Sequence, residues 1–385
     1  MKKWWLAVAL AVVVIGGLAV RNKMVGKQKA AGGQGKIVVL MNSGPKETDK
    51  VAVKRLQEDI SRFNELYPEI EIRWTDRSYS PDSFSTSMAG DTAEDIITLW
   101  ATEGYVAERG YALDLSKLLA GWEYKAQLNK DVLAPFVREG KVYALPKDGY
   151  LMGLLYNKKL FKEAGLLDSR GNAQAPADWD EFVAAAKKLT DRKKGIAGFG
   201  IMGNGAEAGW GFLNWVWQAG GDFEQEKGGT WKAVFAEKEA VEALKFIRDL
   251  RWQHDVLQST LLATSNDLTA RFASDQIGMM FAAQDRIPGL VNQYGMKRDD
   301  IGVALLPAGP AGRANQMGGN YYMINPKSPV KVQEAAFKWI TWKILGAMDP
   351  ERVRENGADL RRQGQIGALT AMPIFIGETD RKARE

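Results

Sequence analysis

Short, uninterrupted apolar runs that alternate with amphipathic stretches constrain this chain more than any other feature. Ile37-Val38-Val39-Leu40-Met41 contains no polar residue, so a strand made from it needs cover on both faces. It ends in Asn42-Ser43-Gly44-Pro45, a turn-forming loop. Val53, Leu56, Ile60, Phe63 and Leu66 then recur at helical spacing, and Pro68 stops that helix. Glu69 to Trp74 alternates and Asp95 to Trp100 is another apolar run, so both read as strands. Strand, crossing helix and strand in this order specify a parallel α/β lobe.

The pattern continues through the chain. Val142 to Leu145 and Leu151 to Tyr156 flank Pro146, and Ile277 to Phe281, Ile301 to Leu306 and Tyr321 to Ile324 read as further strands. Asp178 with Glu181 three residues on is an N-cap signature for a helix running to Leu189. Glu237 to Trp252 sets Ala240, Ala243, Leu244, Ile247 and Leu250 on one helical face, and Val330 to Trp342 is a further amphipathic helix.

The 385 residues suffice for two domains, and absent cysteine excludes disulfides, thiolate metal sites, Cys nucleophiles and a lipidated N-terminal Cys. The single histidine, His254, excludes a multi-histidine metal site, and at a helix end it reads as a local charge rather than a catalyst. The net charge of +5 comes from one place: residues 1–29 hold Lys2, Lys3, Arg21, Lys23, Lys27 and Lys29 and no acid. The remainder is close to neutral, so no nucleic-acid partner is expected. There is no G-x-G-x-x-G behind a strand and no P-loop lysine.

Lys2 and Lys3 precede the uncharged run Leu6 to Val20, the layout of an export signal. Gly17-Leu18-Ala19 offers a cleavage site, so residues 1–35 are read as a cleaved signal and linker, with retention as an uncleaved membrane anchor the alternative. Either way the body lies outside the cytoplasm.

Aromatic residues collect at strand ends and in loops: Trp100, Tyr150, Trp210, Trp215, Tyr321 and Tyr322. Ligands of open α/β sheets bind beyond the carboxyl ends of the strands, and sugar rings stack their C–H faces on aromatic planes. Asn42, Glu103, Asp148, Asp285 and Asn320 stand nearby as hydroxyl partners. A core position is the competing reading for each aromatic. Trp217 lies two residues past Trp215, so at most one of that pair reaches a ligand.

The chain resembles the extracellular solute-binding proteins of bacterial ABC sugar importers, the group that contains maltose-binding protein. The resemblance runs from about residue 36 to 376 and rests on ordered pieces: Phe63-Asn64-Glu65-Leu66-Tyr67-Pro68, then Asp95-Ile96-Ile97 leading to Gly110-Tyr111-Ala112-Leu113-Asp114-Leu115. Gly140 to Pro146, Leu155 to Phe161, Pro176 to Phe182, Phe272 to Phe281 and Gly318-Gly319 follow. It implies a two-lobed periplasmic-binding-protein-like α/β fold with a ligand cleft between the lobes, closing like a Venus flytrap, and three hinge crossings. These are expected near Leu145-Pro146, Phe281-Ala282 and Ile324-Asn325. Lobe 1 is then 36–145 with 283–324, and lobe 2 is 146–282 with 325–385. Relatives usually continue well past Ala371-Met372-Pro373, so lobe 2 is expected to be C-terminally incomplete.

By the same resemblance, Asn42, Trp100, Glu103, Tyr150, Trp210, Trp215, Asp285, Asn320 and Tyr321 bind ligand, with no catalytic residue, metal or cofactor. The expected partners are a carbohydrate, such as an oligosaccharide, and the permease subunits of an ABC transporter; the chain itself is expected to be a monomer. An extracellular glycoside hydrolase is the competing reading, since aromatics and carboxylates suit one, but it needs two opposed carboxylates. A binding protein for a non-sugar solute is the third.

Overall fold

The computed structural model describes residues 35–367, 372–378 and 381. The expected export signal and its expected cleavage site lie outside the described residues. Among the described residues no helix is long and apolar enough to cross a membrane.

The chain divides into two compact units. Among the described residues, one gathers 35–149 with 318–354, 372–378 and 381; the other holds 150–317 and 355–367. In chain order the first unit contributes β1 (Ile37–Met41), α1 (Lys50–Leu66), β2 (Ile70–Trp74), α2 (Pro81–Ala89), β3 (Ile96–Trp100) and β4 (Ala144–Pro146). The second contributes β5 (Tyr150–Asn157), α3 (Trp179–Leu189), β6 (Ala197–Gly200), α4 (Gly205–Gln218), α5 (Lys238–Trp252), α6 (Ser265–Ala273), β7 (Ile277–Ala283) and β8 (Ile301–Ala304). The chain then returns to the first unit with β9 (Asn320–Ile324) and α7 (Val330–Ala347).

The first unit is built on a sheet ordered β2-β1-β3-β9-β4, parallel among β2, β1 and β3 and antiparallel about β9. Both faces are buried, as the continuous apolar runs require. The β9 pleat shows it: Tyr322 and Ile324 enter the core under α1 and α7, while Tyr321 and Met323 enter the core on the other face. Asp49 caps α1 by accepting from Ala52 N. Phe63 of α1 meets Trp339 of α7 edge-on, with ring centroids 5.0 Å apart.

The second unit has the sheet order β8-β5-β7-β6, with β7 parallel to β6 and the other pairs antiparallel. The expected cap is present: Asp178 Oδ1 accepts from Glu181 N at 2.9 Å. Gly198 is where α3 comes closest; a Cβ there would sit 2.0 Å from the Ala186 carbonyl oxygen. Rings of Trp215 and Phe281 stack at 4.6 Å in the centre, and Trp179 stacks on Phe246 at 4.0 Å.

Two expected crossings move. The chain first changes unit between Gly149 and Tyr150, close to the expected place, but it stays in the second unit to Met317 rather than leaving near Phe281. The reason is β8, whose Ile301–Ala304 pair with Asn157–Leu154 of β5. Residues 325–354 belong to the first unit, because Phe337, Trp339, Ile340 and Ile344 of α7 are buried in its core. Asp59 of α1 also pairs with Lys343 and Arg352. Residues 283–317 and 325–354 thus exchange lobes relative to the expectation, and 372–378 also join the first unit, where Ile374 and Phe375 are buried in its core, so the chain changes unit more often than the three expected crossings.

Candidate ligand-binding site

In the first unit the candidate groups gather at the carboxyl end of β3. Trp100 is 46% exposed although Ile96 to Leu99 before it are buried. Tyr79 braces the indole edge-on at 5.2 Å. Its hydroxyl donates to Glu103 Oε2 at 2.7 Å, and Thr102 Oγ1 donates to Oε1 of the same carboxylate at 3.3 Å. Burial first, then the contacts with Tyr105 and Glu103, push the Tyr79 phenol far above its ordinary range, so it stays a neutral donor. Glu103 is itself buried and serves as an acceptor behind Trp100. Asn320, the register partner of Trp100, donates from Nδ2 to both Asp148 oxygens at 2.9 and 3.1 Å.

In the second unit Tyr150 and Trp210 meet edge-to-face at 6.2 Å, both half-buried. The Gln316 amide, oriented to satisfy both of its groups, accepts from Trp210 Nε1 and donates to the Trp210 carbonyl oxygen at 3.1 Å. Asp285 is exposed, just before the helix Arg286–Asn292.

Three expected site residues are structural. Trp215 is 1% exposed. Five residues separate it from Trp210, about 140° around a helix, so the two cannot share a face. Tyr321 is 2% exposed; the pleat turns it inward onto Phe136, 4.6 Å away, and its hydroxyl donates to the Val132 carbonyl oxygen. Burial, helped by the Asp148 charge, pushes its pKa up to about 12. Asn42 is buried, with Oδ1 accepting from Thr98 N at 2.6 Å and Nδ2 donating to Thr98 O at 3.3 Å. It extends the β1–β3 pairing past its last rung, with both ends of its amide engaged on Thr98. The next turn is equally tight, since a Cβ on Gly44 would lie 2.2 Å from the Trp74 ring.

Tyr79 and Gln316 were not singled out by the sequence. Ser80 and Pro81, the N-cap and first residue of α2, mark where Tyr79 enters, but nothing local shows its contact with Glu103. Among the described residues no group of three or more His, Cys, Asp or Glu could hold a metal ion.

Residues 44–343 match the family described as bacterial extracellular solute-binding protein. The chain belongs to this family. A binding protein of Brucella abortus (strain 2308) is 29% identical over 225 residues, 58% of this chain and 50% of that protein. The multiple sugar-binding protein of Streptococcus mutans is 24% identical over 195 residues, 50% of this chain and 43% of its own. The chain thus spans about half the length of the curated relatives it matches. Among solved structures, the maltose-bound MalE3 of T. maritima is 26% identical, with TM-score 0.68 over 87% of this chain and 82% of that one. UgpB of Mycobacterium tuberculosis, in complex with glycerophosphocholine, is 22% identical with TM-score 0.69, over 91% and 83%. The two-unit α/β fold of this family member is therefore that of the solute-binding proteins.

Proposed function

We propose that this solute-binding protein is the extracytoplasmic receptor of an ABC importer, which captures a carbohydrate such as an oligosaccharide and passes it to the permease without breaking a bond. Trp100 carries the reading: a large indole left open at a strand end, braced by Tyr79 and backed by the Glu103 acceptor, is a sugar-stacking platform with hydroxyl partners beside it. Tyr150 and Trp210 form the corresponding aromatic group of the second unit, with Asp285 as a polar partner there and Asn320 as one beside Trp100 in the first. Capture by closure of the two units, as the resemblance implies, is part of this proposal, as are action as a monomer and export through a cleaved signal.

Thermal shift against a panel of oligosaccharides tests the ligand class, because a bound ligand raises the midpoint. Steady release of shorter products would instead identify a glycoside hydrolase. Glycerophosphodiesters belong in the same panel, since UgpB was solved with glycerophosphocholine; a shift with these alone would make the protein a receptor for a non-sugar solute. N-terminal sequencing of the exported protein reads a start at Val20 if the signal is cleaved and Met1 if it remains an anchor.

A further inference from the structure

One edge of the second unit's sheet collects more than the Tyr150–Trp210 pair. β6 and β7 run parallel; α4 starts just past the carboxyl end of β6, and Arg286 lies just past that of β7. β5 begins at the same edge, since Met152 is the register partner of Ala283. α6 leads by a short turn into the start of β7, so its first residue, Ser265, also lies at the carboxyl edge. This is the edge at which open α/β sheets bind ligands. Side chains there form a chain of hydrogen bonds. Ser265 N and Oγ donate to the two oxygens of Glu207, at 2.6 and 3.1 Å. With its proton committed to Glu207, the Ser265 hydroxyl accepts from Arg286 Nη2 at 3.1 Å, and Arg286 Nη1 donates to Asn266 Oδ1 at 3.0 Å. Glu207 stands three residues before Trp210, so the two share a face of α4. Trp210 and Ile287, the residue after Arg286, pack against the same core cluster around Leu268 and Phe272.

The chain of bonds ends on Arg286 with donors to spare. A guanidinium carries five N–H groups, and the bonds to Ser265 and Asn266 use two of them, both on neutral oxygens. Among the described residues, the side-chain polar atoms buried without a partner belong to Asn64, Thr92, Arg251 and His254. The spare N–H groups of part-exposed Arg286 therefore meet solvent, where a ligand can reach them. Its charge is offset by Glu207 behind Ser265 and by exposed Asp285 beside it, so a neutral hydroxyl suits this fork better than an anion.

We propose that Arg286 is a specificity-determining residue of the saccharide site: its spare N–H groups hold ring hydroxyls of the sugar that stacks on Trp210, and Glu207, acting through Ser265, positions it. The inference rests on the saccharide reading and extends it to residues outside its aromatic platforms. Thermal shift of the full-length protein with maltotriose, cellotriose, xylotriose and raffinose first selects the saccharide that raises the midpoint most. Calorimetry then titrates that saccharide into wild type, Arg286→Met and Arg286→Lys. Arg286→Met keeps the apolar stem and removes every donor, and should weaken binding about tenfold or more at a near-unchanged Tm of the free protein. Arg286→Lys keeps the charge without the planar fork and should weaken binding about threefold or more, which decides the matter if Arg286→Met does not fold. Monodeoxy analogues of the same saccharide supply a readout that a merely structural role would not move. One of them should bind wild type about tenfold more weakly than the parent and lose nothing further in Arg286→Met. Unchanged affinity in a folded variant, or losses that add for every analogue, would overturn the inference and leave the saccharide reading standing. No shift of wild type with any of the four saccharides would overturn the saccharide reading and the inference with it.

Discussion

In the first unit Trp100 stands on polar scaffolding: Tyr79 braces it while donating to Glu103, Asn42 ties β1 to β3, and Asp148 holds its register partner Asn320. In the second, Trp210 leans on Tyr150 and grows from a helix whose other face is the unit's aromatic core, through Trp215 stacked on Phe281. Indoles that look alike in the sequence therefore do different work. Trp100 can be removed with little effect on the fold, while Trp215 cannot be removed without opening the core.

The largest effect should follow from Trp215→Ala, a loss of about 3–5 kcal/mol in unfolding free energy by denaturant titration. A loss below about 1 kcal/mol would erase the contrast. Trp100→Ala should do the reverse, lowering saccharide affinity about tenfold or more while unfolding free energy changes by about 1 kcal/mol or less. Tyr79→Phe comes next. It removes the donor that Glu103 receives and should cost about 1–3 kcal/mol in stability or binding, measured as both Tm and Kd. No change in either would mean that the Tyr79–Glu103 pair does not support Trp100.

The smallest effect concerns Tyr321. Its folded pKa of about 12 lies above the ordinary 10.0, so the folded state favours the neutral phenol. The stability it contributes is fully present below pH 10 and is lost as pH rises from 10 toward 12. Tyr321→Phe should cost about 0.5–1.5 kcal/mol at neutral pH, lose less than wild type over that alkaline window, and leave saccharide binding unchanged. A change in affinity would return Tyr321 to the site.

What the sequence showed and hid follows the same contrast. β1, α1, β2 and the capped α3 were legible because each depends on local spacing, capping or breaking residues. The second and third crossings were not, because strand period cannot say which sheet Ile301–Ala304 joins, nor helix period which core receives Trp339. The openness of Trp100 was legible from its place at the end of a buried strand. Tyr321 lies one residue from Asn320, and only the direction of the pleat separates a proposed ligand partner from a core ring. Leu244 shows the converse: it falls on the apolar stripe of α5 with Ala240 and Ala243, yet stays exposed while those two are buried.

The central claim, a non-catalytic saccharide receptor that uses open indoles, is tested most directly by calorimetric titration of the oligosaccharide that gives the largest thermal shift. Wild type, Trp100→Ala and Trp210→Ala are titrated side by side, and the saccharide is recovered and sized afterwards. The account predicts saturable binding to wild type, at least tenfold weaker binding to Trp100→Ala at a near-unchanged Tm, and saccharide returned intact. Wild-type affinity in both variants, or saccharide returned in pieces, would contradict it.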